Sequence, residues 1–222
     1  MPICPNVSKH KTFFLCFSLY FILATIYQSV EVIFMKGSSK SGEEELYEPI
    51  KKHLQTILTS YYVEEHHPPP TRPFQYEDNP YLEITAKRGI SETLKREFSD
   101  ETFYILSAEG KNPDIMGFVR KKPSSPKELI TVEVKDKTIK LMDIFQARLY
   151  QEVFKSTLGF LISSRGITEE RVRFVTSKSG EFIRGKVIIL KYNRSPYGRG
   201  IFEINPRLMN DLPESLKKYF EL

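Results

Sequence analysis

Residues 111–154 read KNPDIMGFVRKKPSSPKELITVEVKDKTIKLMDIFQARLYQEVF, and this stretch decides the fold. Asp114–Val119 and Leu129–Lys135 have the apolar, β-branched composition of strands. Between them Pro123, Ser124, Ser125 and Pro126 form a turn-rich connector. The two runs are expected to pair as an antiparallel hairpin. Side chains alternate faces along a strand. Ile130, Val132 and Val134 therefore take one face and belong to the core, while Glu133 and Lys135 take the other. In a hairpin the numbers of facing residues sum to a constant. Placing Asp114 opposite Glu133 gives 114 + 133 = 247, which centres the turn between Pro123 and Ser124, inside the connector. Two carboxylates so placed have Cβ atoms about 5 Å apart. They repel unless a positive group stands between them. Mg²⁺, a hard ion that takes carboxylates, a carbonyl and waters, suits that position.

Downstream, Asp143–Ser156 is expected as a helix, with Leu141, Phe145, Leu149 and Val153 at four-residue steps. Gln146 and Tyr150, also four apart, share one of its faces. Leu158–Ser163, Val187–Tyr192 and Ile201–Ile204 read as strands. Thr168–Thr176, with Thr168 as N-cap, and Leu212–Phe220 read as helices. Upstream, Leu46, Ile50, Leu54 and Ile57/Leu58 recur at helical spacing over 43–60, with Ser41 and Glu44 spaced as a capping box. Pro49 sits badly in a helix interior, so Glu43–Tyr47 is expected as a separate turn or a kinked first turn. HHPPPTRP and EDNP within 61–80 are loop chemistry. Ser91–Phe98 reads as a short helix and Phe103–Ser107 as a strand. No internal repeat is present.

The chain has 222 residues, 40% of them hydrophobic and 27% charged. That balance excludes collagen-like, coiled-coil and wholly disordered classes. Lys and Arg outnumber Asp and Glu by 33 to 28, an excess that permits an anionic partner without demanding one. The only cysteines are Cys4 and Cys16. From Phe17 onward there is no disulfide framework, Cys-ligated zinc or iron–sulfur cluster, which suits a reducing compartment such as the cytoplasm. Residues 1–34 are a hydrophobic extension, apolar from Phe13 to Tyr27 and preceded by Lys9 and Lys11. Three readings of it stay open. It is upstream sequence before a start at Met35, a membrane anchor through residues 13–27, or a signal or packed helix. Residues 35–222 then form the single globular domain.

Pro113-Asp114, eighteen residues, then Glu133-Val134-Lys135 resembles the signature of the PD-(D/E)XK nuclease superfamily. That superfamily includes restriction enzymes, Holliday-junction resolvases and RecB-like nucleases. Gln146 and Tyr150 resemble the Q-x3-Y motif of the RecB-like branch. The segment EEELYEPIKKHL resembles the superfamily's first helix, which often carries a carboxylate near its start. Glu43 is assigned that role because it lies in line with the apolar stripe at Leu46 and Ile50. Glu44 suits capping better, and Glu45 is a rival. The resemblance covers roughly 43–176. The missing cysteines disfavour the subgroup that carries an iron–sulfur cluster.

The resemblance implies an α/β, restriction-endonuclease-like fold with a mixed central sheet flanked by helices. It implies Mg²⁺- or Mn²⁺-dependent hydrolysis of phosphodiester bonds, most readily in DNA, by a monomer or a homodimer. Asp114, Glu133, the Val134 carbonyl and Glu43 would hold the metal. Lys135 would orient the attacking water or offset charge in the transition state, and Gln146 and Tyr150 would position the phosphate or the site. Arg120, Lys121, Lys122 and Arg148 would attract the nucleic-acid backbone. Plainer readings stand beside these. Asp114 can cap a turn, Glu133 and Lys135 can line a solvated strand face, and the 120–122 run can be a wet turn. His66-His67 and the Gly-rich 195–200 segment read as loops, and Glu109-Gly110-Lys111 lacks strand context. Two other functions compete. One is a nuclease-fold binding or interaction module without catalysis. The other is a membrane-tethered protein, for which the extension is real and DNA is not the partner.

Overall fold

The apolar periodicity of the upstream segment builds one long helix, α1 (Ser41–His66), which runs through Pro49. Proline has no N–H to offer the carbonyl four residues back. That carbonyl, on Glu45, instead accepts from an Arg194 guanidinium nitrogen at 2.8 Å. A partner 149 residues away thus supplies the bond that Pro49 cannot, and the expected break over Glu43–Tyr47 does not form. Ser41, expected to cap the helix, is already its first residue. The Glu44 carboxylate pairs with Lys87 at 2.8 Å.

The computed structural model describes residues 41–66, 80–98, 105, 108–120, 127–194 and 200–220. After α1 come β1 (Tyr81–Ile84), α2 (Thr85–Arg88), α3 (Glu92–Glu97), β2 (Ile115–Arg120), β3 (Lys127–Lys135) and α4 (Leu141–Val153). They are followed by β4 (Leu158–Ser163), α5 (Glu169–Thr176), β5 (Val187–Asn193), β6 (Ile201–Glu203) and α6 (Glu214–Lys217), with 3₁₀ turns at Lys178–Gly180 and Pro206–Asp211. The strands form one six-stranded sheet in chain order. β3, β4 and β5 are parallel to one another, and the remaining neighbours are antiparallel. The fold is mixed α/β, a mixed sheet flanked by helices. These described residues belong to one compact unit, Ser41–Leu222. Among them no helix is long and apolar enough to cross a membrane. The expectations for residues 1–34 and nearly all of the Phe103–Ser107 strand lie outside the described residues.

The β2–β3 hairpin has the register sum of 247, with Ile115 opposite Val132 and Arg120 opposite Lys127. Ile115, Val119, Ile130, Val132 and Val134 join the main core together with the apolar stripe of α1. The opposite face is covered too. Met116, Phe118 and Leu129 pack with Leu94, Tyr150 and Phe154 in a second apolar cluster. Neither face of the hairpin is the wet surface that alternation alone would allow.

Three sequence expectations need correction. The buried stripe of α4 is Asp143, Ile144, Ala147 and Tyr150, whereas Leu141, Phe145, Leu149 and Val153 are only half-buried. A strict four-residue step drifts around a helix of 3.6 residues per turn. Phe145 is instead stacked against Phe182, with ring centroids 5.7 Å apart. The closing helix shrinks to the single turn of α6, because Pro213 stands at its N-cap after a 3₁₀ turn. β1 was not anticipated. It has four residues after Pro80 and is recognisable mainly by its pairing with β2. Gly117 in β2 permits that pairing, since a Cβ there would stand 1.9 Å from the Tyr81 carbonyl oxygen.

Candidate active site

Along β3 the backbone groups alternate between its two neighbours. The Lys135 carbonyl accepts from Ser164 N–H on the β4 side at 3.0 Å, so Val134 directs its backbone toward β2. β2 pairing ends at Ile115 with Val132, and the Val134 N–H would have no strand partner. Asp114 takes it: Oδ2 accepts from Val134 N–H at 2.8 Å. By strand geometry the Val134 carbonyl opens on the same side. The other Asp114 oxygen, Oδ1, accepts from the Tyr47 hydroxyl at 3.0 Å. The Asp114 carbonyl accepts from the Thr85 and Ala86 N–H groups at 2.9 and 3.1 Å. Thr85 Oγ1 donates to the Pro113 carbonyl at 2.5 Å. Asp114 is therefore pinned by α1, α2 and β3 together.

Glu133 and Lys135, two apart on one face of β3, are both buried. Lys135 Nζ donates to Glu133 Oε1 at 2.6 Å. Glu133 Oε2 is buried and has no hydrogen-bond partner. Burial, and then the Asp114 charge, push the Glu133 carboxyl up to about 8 despite Lys135. Burial alone would lower the Lys135 ammonium. The carboxylates of Glu133, Asp114 and Glu43 outweigh it and hold Lys135 above its ordinary range, so it stays charged.

Glu43 stands in the first turn of α1 and is 6% exposed. Burial raises its carboxyl, Lys135 opposes the shift, and Asp114 adds to it. Gly42, just before it, lies close to Asp136: a Cβ there would stand 2.3 Å from an Asp136 carboxylate oxygen. The rival acids of α1 point elsewhere. Glu44 is exposed and pairs with Lys87; Glu45 is exposed and lies 3.6 Å from Arg194. Tyr150 is buried at the edge of the second cluster. Its phenol is held above its usual range by burial, then by the Glu133 charge. Gln146 Nε2 reaches the Tyr150 hydroxyl in a long contact of 3.5 Å.

The structure thus gathers Glu43, Asp114, Glu133, Lys135, Gln146 and Tyr150 around the C-terminal end of β3. It does not gather the predicted cations there. Arg120 lies six residues along β2 from Asp114, about 20 Å at strand spacing. Lys121 and Lys122 lie outside the described residues. Arg148 is engaged with Gln151 and Glu152, and its Nε donates to the Phe182 carbonyl at 3.0 Å. Tyr47 was missed. The available signal was its i,i+4 spacing from Glu43, which puts both on one face of α1. The partner it meets is 67 residues away.

The expected repulsion between Asp114 and Glu133 is answered by protein donors: the Tyr47 hydroxyl, the Val134 N–H and the Lys135 ammonium. Among the described residues no three His, Cys, Asp or Glu side chains converge closely enough to form a metal-binding group. Chemically the cluster sets one buried cation, Lys135, against Glu43, Asp114 and Glu133, with Glu133 Oε2 an acceptor that no protein donor fills. No family model, curated protein or solved structure matches the chain.

Proposed function

We propose that the protein is a divalent-metal-dependent nuclease that hydrolyses phosphodiester bonds, with DNA as substrate. The observation that carries this reading is the Glu133 carboxylate, 3% exposed, with one oxygen on Lys135 and the other without a partner. An unpaired buried acceptor costs stability, and a carboxyl pushed strongly upward in such a setting marks a functional site more often than a structural one. The order along the chain supports the same reading. A buried acid near a helix start is followed by an Asp at the mouth of a strand, E-x-K on its partner, and a helix with Q-x3-Y.

The donor set fits Mg²⁺ or Mn²⁺, which take hard carboxylate and carbonyl oxygens. Asp114, Glu133 and the Val134 carbonyl would hold the ion, with Glu43 reaching it through a water, and Glu133 Oε2 has no protein partner. When bound, the cation would supply polarisation of the phosphate and a lowered pKa for a coordinated water. Lys135, kept charged by its neighbours, would orient the attacking water or offset negative charge building on the phosphate. Gln146 and Tyr150 position the phosphate. Lys137, near enough to Glu43 to influence its charge, is a nearer cation than Arg120.

The test is cleavage of labelled single-stranded, duplex and branched DNA, and of RNA, by the full chain with Mg²⁺, Mn²⁺ or EDTA. Metal-dependent cutting that Asp114→Asn and Glu133→Gln abolish is the expected result. A folded protein that cuts none of them overturns the reading. The second reading, a binding module without catalysis, draws on the fact that both Asp114 oxygens are already engaged. Retarded mobility of DNA without cleavage would favour it.

A further inference from the structure

We propose that Tyr47 is the positioning residue that holds Asp114 in the orientation needed to take a divalent cation, an inference that rests on the nuclease reading of the site. Tyr47 is 2% exposed and donates to Asp114 Oδ1 at 3.0 Å. Val134 N–H donates to Oδ2 at 2.8 Å. The two donors come from different elements, a helix and a strand, so together they fix the carboxylate against rotation about its last bond.

Without the Tyr47 hydroxyl, Asp114 Oδ1 would lose its donor from α1, while Oδ2 would keep the Val134 N–H. The carboxylate would then be held from the β3 side, without the bond from α1. Glu43 lies one turn before Tyr47 on the same helix face. α1 therefore brings both a carboxylate and the group that aims its neighbour. Tyr47 bonds the carboxylate assigned to the metal, so its role is to orient. Groups that orient metal ligands typically contribute 10- to 100-fold in affinity.

The experiment measures Mn²⁺ binding to the full chain by loss of the free-ion paramagnetic signal, with no nucleic acid present. Tyr47→Phe keeps the buried ring and removes the donor. It is expected to weaken Mn²⁺ binding about tenfold while the melting temperature in EDTA changes little. In an Asp114→Asn background the same substitution should cause no further loss. Equal affinity in Tyr47→Phe and the unsubstituted protein overturns the inference and leaves the nuclease reading standing, as does an equal further loss on top of Asp114→Asn. No Mn²⁺ binding by the unsubstituted protein overturns both. Should Tyr47→Phe not fold, Tyr47→His, which retains a ring N–H donor, takes its place. Retained affinity supports the inference and a tenfold loss counts against it.

Discussion

Two lysines of β3 pair with glutamates at the same separation of 2.6 Å, Lys127 with Glu97 of α3 and Lys135 with Glu133 of β3 itself. They are eight residues apart, about 26 Å along the strand. At the turn end Lys127 also lies over the Phe118 ring, 4.0 Å from its centroid. Glu97 is held below its ordinary range, first by the hydrogen bond from Lys127. At the open end Glu133 is pushed up to about 8, first by burial and then by Asp114. One geometry thus gives opposite electrostatics. The separation of a pair says little about its purpose; burial and the surplus of carboxylates around it say more. The turn-end pair is what a partly exposed strand end tolerates, worth up to about 1 kcal/mol. The open-end pair withdraws charges from water with one oxygen unsatisfied, an arrangement that packing alone does not require.

The comparison breaks first, and most visibly, in catalysis. Lys135→Met is expected to lower metal-dependent cleavage by about 10²- to 10³-fold, and Asp114→Asn or Glu133→Gln by at least as much. Lys127→Met should leave the rate within about threefold, as expected for a partly exposed pair far from the carboxylates. A similar loss at both ends, measured by initial rates on labelled DNA, would show that the hairpin matters only as a scaffold.

Stability separates the two ends next. Removing one partner of a buried pair costs about 3–5 kcal/mol, so Lys135→Met should approach about 3 kcal/mol at pH 9 by denaturant unfolding in EDTA. At pH 6 the cost should shrink, because Glu133 can then hold a proton and no longer needs the ammonium.

The pH dependence of the unsubstituted protein sharpens the point. A carboxyl whose folded pKa is raised binds its proton more tightly when folded. Its favourable contribution is present below the unfolded value of 4.5 and is lost as pH rises toward about 8. Glu133→Gln imitates the protonated acid. Its melting temperature relative to the unsubstituted protein, in EDTA, should therefore rise between pH 5 and pH 9. A flat difference would mean that Glu133 is ionised throughout.

Glu97 should behave in the opposite sense and more weakly. Its lowered pKa contributes stability present above 4.5 and lost as pH falls below it. Glu97→Gln should cost no more than about 1 kcal/mol at pH 7, and less at pH 3. A larger cost would place the turn-end pair in the class of its counterpart.

Much of the hairpin was legible in the residues themselves. Strand alternation and the proline connector are local signals, and together they set the register that puts Asp114 one step beyond Ile115, opposite Glu133. Glu43 could be distinguished from Glu44 and Glu45 by its alignment with Leu46 and Ile50, and it is the buried one of the three. The α4 stripe was misassigned because four-residue steps alone do not say which side of a helix meets the sheet. Arg120 was grouped with the site on charge, although six strand residues carry it to the far end.

The sequence by itself determined the order and local form of the elements that surround the candidate site: a helix with an acid at its start, a hairpin of known register, and a helix bearing Gln146 and Tyr150. Periodicity and turn chemistry act within a few residues, so a single chain displays them. Only the tertiary structure decided that Tyr47 closes on Asp114, that Arg194 completes the helix at Pro49, and that Glu133 keeps one oxygen unpaired. The first two contacts join residues 67 and 149 positions apart. The third depends on what every surrounding element leaves vacant, and no local pattern encodes such a vacancy.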